Sequence, residues 1–132
     1  MENFGDFHMK VREFQKKMGF PYRDEPDGLM PLKLMLKRLR LINEEAYELM
    51  EAVDENDFMK MVDAYGDLLY VVIGFGVTIG LPTQAIFDEI HRSNMTKTEM
   101  NEHGKGGKGE GFQKPDLGRI LLEHIRTLES KG

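Results

Sequence analysis

The sequence predicts an all-α protein, an antiparallel four-helix bundle core with an additional terminal helix. Three observations predict it. Apolar residues recur at three- and four-residue steps, with no strand-type alternation. Prolines and glycines fall between those stretches and punctuate them. One stretch, Leu68 to Val77, is apolar at nearly every position, so a helix there has no solvent face and must be covered by protein or by lipid. That run is short of the roughly 20 apolar residues a bilayer span needs, and Asp63 and Asp67 directly precede it. Protein is the better cover, and no membrane is expected. A chain of 132 residues with four or five helices can scarcely surround such a helix alone. It should therefore self-associate, as a homodimer or a tetramer built from one.

Phe4, Phe7, Val11, Phe14 and Met18 mark a first amphipathic helix, ended by Gly19. Residues 20–29 carry two prolines and a glycine and form a loop. Pro31 suits the first position of a second helix, where its missing N–H costs nothing. That helix runs to about Val53, with Leu32, Met35, Leu39, Ile42, Ala46, Leu49, Met50 and Val53 on its core side. Lys33, Lys37, Arg38 and Arg40 fill its first half and acids its second, the unfavourable end of the helix dipole. Those acids want a compensating cation. Asp54 to Asp57 make a short turn, with Asn56 or Asp54 capping a third helix that reaches Ile79 and stops at Gly80. Gly66, Gly74 and Gly76 inside it suggest close approach of another backbone. Pro82 opens a fourth helix through about Met95, with Ile86, Phe87 and Ile90 inward. Residues 101–115 hold five of the fourteen glycines and read as an irregular loop. Asp116 caps a last helix carrying Leu117, Ile120, Leu121, Ile125 and Leu128.

The length fits one domain over residues 1–132. The chain has no cysteine, which excludes disulfides and thiolate metal sites. Its first residues show no signal-peptide pattern, so a cytoplasmic location is expected. A net charge of −5 argues against a nucleic-acid partner. The ten methionines read as adaptable core filler.

The chemistry is in two acidic clusters. Glu45 and Glu48, three apart, share a face of the second helix and interrupt a stripe otherwise made of Leu34, Leu41 and Ala52. Glu44 and Glu51 lie further toward solvent. Asp63 and Asp67, four apart, do the same on the third helix, where Asp67 aligns with Tyr70, Val71 and Gly74. A short turn makes the two helices antiparallel neighbours. Glu48 then stands level with Asp63, and Glu45 with Asp67. Four carboxylates that close cannot all ionise unless a cation lies among them. Oxygen-only ligands select Mg²⁺, Mn²⁺ or Ca²⁺.

Glu44-Glu45-x-x-Glu48 followed by Asp63-x-x-x-Asp67-Leu-Leu-Tyr-Val-Val resembles the all-α nucleoside triphosphate pyrophosphohydrolases. These include the MazG proteins, the dimeric dUTPases and phosphoribosyl-ATP pyrophosphohydrolase. The resemblance continues through Phe87-Asp88-Glu89-Ile90-His91-Arg92-Ser93-Asn94-Met95-Thr96-Lys97 and covers roughly residues 30–117. It implies hydrolysis of a nucleotide substrate between its α and β phosphates, with Mg²⁺ as cofactor and Mn²⁺ as a substitute. It makes Glu45, Glu48 and Asp67 metal ligands, Asp63 a fourth, and Glu44 the residue that orients or deprotonates the attacking water. Asn94 and Lys97 would contact the nucleotide. Read from the residues themselves, the loop with Lys105 and Lys108 is either a flexible linker or a cationic flap closing with Phe112, and Tyr70 is either a wall of the nucleotide pocket or a core tyrosine. Many members carry Glu-x-x-Asp on the third helix, whereas position 64 here is Ala64 and the acid is Asp63. Ala64 leaves room for a non-catalytic metal-binding helical module. A di-iron bundle would need Glu-x-x-His, which the chain lacks, and no P-loop signature is present.

Overall fold

The three- and four-residue apolar spacing produces helices along a computed structural model of the chain, which describes residues 2–100, 106–107 and 109–131. Among them are α1 (Gly5–Met18), α2 (Leu32–Asp54), α3 (Phe58–Ile79), α4 (Thr83–Asn94) and α5 (Leu117–Lys131). Where an irregular loop was expected after α4, a two-residue antiparallel ladder joins β1 (Glu99–Met100) to β2 (Gly106–Gly107).

Local chemistry sets the helix ends. Gly19 and Gly80 terminate α1 and α3 in the left-handed region, at φ 73° and 77°. Gly80 has a second reason to be glycine, since a Cβ there would collide with the Glu25 backbone carbonyl. Pro31 and Pro82 stand one position outside their helices, at the caps rather than the first turn. The α3 cap is Asp57, whose carboxylate accepts the Lys60 N–H at 3.1 Å, and not Asn56 or Asp54. Asn56 instead takes a positive φ of 53° to turn the chain between α2 and α3. Asp116 caps α5 as expected, accepting the Arg119 N–H at 3.2 Å.

The chain divides into two compact units. In Asp6–Leu81, α2 and α3 lie alongside each other. Val11, Ile73 and Val77 form a buried cluster with Tyr22 packed on it. The loop before α2 is tied down by the Arg12–Asp24 fork (2.7 and 2.8 Å), with the guanidinium over Tyr22. The N–H groups of Arg23 and Asp27 donate to the last carbonyls of α3. In the other unit, Met1–Gly5 with Pro82–Gly132, Phe4 is buried edge-on against His124 at 4.8 Å. The Gln84 and Ala85 N–H groups donate to the carbonyls of Phe4 and Asn3.

Several side chains read as inward are not. Leu32, Leu39, Met50 and Val53 of α2 are exposed, as are Phe7, Phe14 and Met18 of α1 and Leu117 of α5. Phe87 of α4 is 67% exposed. On α3, Phe58, Val62, Tyr65, Leu69 and Val72 form a further exposed apolar stripe. Periodicity identifies the apolar face of a helix, and the described residues leave these faces uncovered. Gly66 has open space where its Cβ would be, so close packing within the chain does not explain it. As a whole α3 is longer than its uninterrupted apolar run. Its 22 residues are long and apolar enough to cross a membrane by length and composition alone. Lys60, Asp63 and Asp67 lie within the helix.

Candidate functional site

Glu45 is the centre of the acidic constellation. It is half-buried, and its Oε2 is sealed from solvent without a hydrogen-bond partner. Burial pushes its carboxyl above the usual range. The charges of Glu48 and Asp67, a hydrogen bond with Glu48 and the charge of Glu44 all push the same way. Glu48 and Asp67 are therefore close enough for their charges to act on Glu45, and so is Glu44, which was expected further toward solvent. Asp63 joins through Glu48: both line a pocket of about 320 Å³ with Glu51, Glu55, Lys60 and Ala64.

Although Asp67 lies in line with Tyr70, Val71 and Gly74, the carboxylate drawn out of solvent is that of Glu45. Asp67, Asp63, Glu44 and Glu48 are exposed, and among the described residues nothing covers that side of α3 or the outer edge of α2. Among the described residues, no three His, Cys, Asp or Glu side chains converge closely enough to hold a metal ion as they stand. The donor chemistry nevertheless fits a hard divalent ion, with carboxylate oxygens crowding one another and one of them buried and unsatisfied. The compensating cation wanted at the acidic end of α2 is Lys60, whose ammonium reaches Glu55 at 2.7 Å. Glu55 raises the Lys60 pKa in turn.

Tyr70 is partly exposed, edge-on to Phe14 at 5.8 Å, and Phe14 is edge-on to Phe20 at 6.2 Å. Asn94 closes α4, and its carbonyl accepts the Lys97 N–H at 3.0 Å. Both belong to the unit containing α4 and α5. Lys105 and Lys108 lie outside the described residues.

Sequence reasoning missed two groups. One is Arg38, seated against α3 at Gly74, where a Cβ would collide with its guanidinium. Its Nη2 donates to Gln15 Oε1 at 3.1 Å. The buried Gln15 donates in turn to the Pro21 carbonyl and to Thr78 Oγ1, and Thr78 donates to the Gly74 carbonyl. The signal was available, since Arg38 precedes Glu45 by seven residues and Gly74 follows Asp67 by seven. The other is Glu89, a buried carboxylate bound by the Arg92 fork (2.8 and 2.9 Å), the Asp116 N–H at 2.7 Å and Arg119 at 3.5 Å. Those donors, Arg92 first, hold its pKa down at about 2.

A model of the phosphoribosyl-ATP pyrophosphohydrolase family matches residues 11–94, from within α1 to the last residue of α4. The match begins earlier than the residues that first suggested the likeness, and α5 lies beyond it. The chain is also similar to the uncharacterised protein L479 of Acanthamoeba polyphaga mimivirus, with 38% identity over 80 residues. That alignment covers 56% of this chain and 31% of the viral protein, so the chain spans about a third of that relative's length.

Proposed function

Since the chain belongs to the phosphoribosyl-ATP pyrophosphohydrolase family, a family of nucleotide pyrophosphohydrolases, we propose that it hydrolyses a nucleotide at the α-β phosphate bond. The products are a monophosphate and pyrophosphate, and the reaction depends on Mg²⁺, with Mn²⁺ as a substitute. The observation that carries this reading is the orphaned Glu45 carboxylate among Glu44, Glu48 and Asp67 on that family's helices. Glu45, Glu48 and Asp67 would hold the ion, with Asp63 contributing beside Glu48. When bound, the ion supplies Lewis-acid stabilisation of the negative charge that develops on the phosphates. Glu44, exposed at the edge of the group, orients the attacking water and accepts its proton. Asn94, Lys97, Lys105 and Lys108 contact the nucleotide, and Tyr70 lines its pocket.

The exposed apolar stripe of α3 supports a homodimer, or a tetramer built from it. On the helical wheel this stripe lies opposite Asp63 and Asp67, so a second copy could cover it without blocking the acids. The cytoplasm is the proposed location. Pyrophosphate release across a nucleotide panel with Mg²⁺ or Mn²⁺, including phosphoribosyl-ATP, tests the activity. A folded protein that releases none from any member refutes it. Buried Ala64, at the place of a family acid, favours one competing reading, a metal-binding helical module without turnover. That module would show thermal stabilisation by Mg²⁺ and no pyrophosphate.

A further inference from the structure

Arg38 is the basic group the proposed chemistry leaves unused. It is half-buried, and its Nε is shielded from solvent with no hydrogen-bond partner. It forms no ion pair among the described residues. Its Nη2 gives a hydrogen to Gln15 Oε1, and its Nη1 donates to no acceptor among the described residues. Burial lowers its pKa, as expected of a guanidinium without a counterion. The fold nonetheless keeps it there, since Gly74 leaves room for it against α3. Donors drawn partly out of water want acceptors, and a ligand is left to bring them.

The pocket that Arg38 lines says what kind of ligand. It measures about 270 Å³, with Phe20, Pro21, Leu34 and Leu41 as apolar walls and the exposed Lys37 beside them. The volume is below that of most whole-ligand sites and suits one ring system with the rest of its molecule outside. Apolar walls fit the two faces of a flat ring, whereas they leave most oxygens of a phosphate without donors.

Position ties that ring to the acidic group. Gly74 is seven residues beyond Asp67 on α3, and Arg38 seven before Glu45 on α2, each about 10 Å along the helix axis. A step of seven turns a helix back to nearly the same face, so the pocket and the acids lie along one side of the α2–α3 pair. The step is longer than the spacing of neighbouring phosphates and matches a sugar with a purine attached. Aromatic rings mark the way: Tyr70, one turn beyond Asp67, is edge-on to Phe14, and Phe14 to Phe20 in the pocket wall.

The guanidinium then decides between bases. Its fork presents donors only, in one plane, and pairs with a ring edge that offers two neighbouring acceptors. The O6 and N7 of a 6-oxopurine are such a pair, whereas adenine sets the N6 amino donor beside N7. Cytosine offers its N4 amino donor on that edge, and uracil and thymine a single O4.

We propose that the Arg38 pocket reads the base of the substrate and selects a 6-oxopurine, guanine or hypoxanthine, through its O6 and N7. The selection rests on the pyrophosphohydrolase reading for its role in turnover, and base binding can be measured without turnover. It runs against adenine, the base of phosphoribosyl-ATP.

Two measurements on the full chain test the selection. In the first, kcat/KM is compared for GTP, ITP and ATP with Mg²⁺. GTP and ITP should both exceed ATP by about tenfold or more, the discrimination that one bidentate pair gives. Arg38→Gln sets a donor beside an acceptor, the complement of the adenine edge, and should cut that preference about tenfold or reverse it. Gly74→Ala, which displaces the guanidinium without removing it, should act in the same direction and keeps the test open if Arg38→Gln does not fold. ATP turned over as well as GTP, ITP no better than ATP, or equal losses on all three in the variants overturns the proposal. In the second, inosine and adenosine, which carry no phosphate for the acids to repel, are titrated calorimetrically into the protein. Inosine binding about tenfold tighter than adenosine, with the margin lost in the same variants, supports the site even if no nucleotide is hydrolysed. Equal binding, no binding of either, or a margin that the variants leave intact overturns it.

Discussion

Glu89 and Glu45 are both carboxylates drawn off the surface of a helix, and their surroundings push them in opposite directions. Glu89 meets two arginines and a backbone N–H, and its pKa falls to about 2. Glu45 meets Glu48, Asp67 and Glu44, keeps one oxygen without a partner, and its pKa rises. The first arrangement is electrostatically complete and ties the α4 carboxylate to the start of α5. The second is incomplete within the chain itself. A group completed by its own fold is structural, whereas a group that the fold leaves short of positive charge is a candidate site for a ligand. The largest effect expected from this contrast is on turnover. Glu48→Gln or Asp67→Asn should reduce Mg²⁺-dependent pyrophosphate release on the order of 100-fold or more, with the fold unchanged by circular dichroism. Full activity in either variant would place the reacting centre elsewhere.

The next effect belongs to Glu89. Its amide, Glu89→Gln, removes the charge that Arg92 and Arg119 share and leaves two guanidinium groups without their common partner. Breaking one side of a buried pair is strongly destabilising. The melting temperature should fall by about 10 °C. A fall of under about 2 °C would show that solvent already screens the hub.

The contrast also explains what the sequence made legible. Helix ends were readable because Gly19, Gly80, Pro31, Pro82 and Asp116 act within a few residues of themselves. The α3 cap was misplaced because Asp54, Asn56 and Asp57 are all competent caps, and the left-handed turn at Asn56 decides among them. The acidic pairs were readable because three- and four-residue spacing defines a face, and a short turn aligns two such faces. Glu89 was not, because its partners Asp116 and Arg119 are 27 and 30 residues away. Within -Phe87-Asp88-Glu89-Ile90- it looks like one more surface acid. Arg38 left a trace in its seven-residue spacing from Glu45, but its partners Gln15 and Gly74 reach it from other elements and local periodicity does not show them. Local periodicity also cannot tell a face covered by its own chain from one awaiting a partner, which is why Phe87 and Met50 were read as inward.

A smaller effect should appear in the pH dependence of stability. Glu89 is ionised down to about pH 2 in the folded chain and only to its ordinary 4.5 in the unfolded one. It therefore contributes fully above about 4.5, and that contribution is lost as pH falls from 4.5 to 2. Glu45 has the opposite sign. Its folded carboxyl takes up a proton more readily than the unfolded one, so metal-free stability should rise as pH falls from neutrality toward 4.5. A metal-free melting curve that climbs on mild acidification and collapses below 4.5 contains both groups. One that falls monotonically from pH 7 would show Glu45 to be unperturbed.

The smallest effect separates the two carboxylates most cleanly. Glu45→Gln removes one negative charge from beside Glu48, Asp67 and Glu44 while keeping the shape of the side chain. In the metal-free protein this relieves repulsion, and the melting temperature should rise by about 2 °C, against the fall expected for Glu89→Gln. Saturating Mg²⁺ should reverse the ranking, since an ion stabilises only the chain that can bind it. The wild-type melting temperature should then climb past that of the variant. If Glu45→Gln lowers stability without metal, the carboxylate already has a partner within the fold. If Mg²⁺ stabilises both chains equally, the ion sits away from Glu45 and the acidic group of α2 and α3 is not its site.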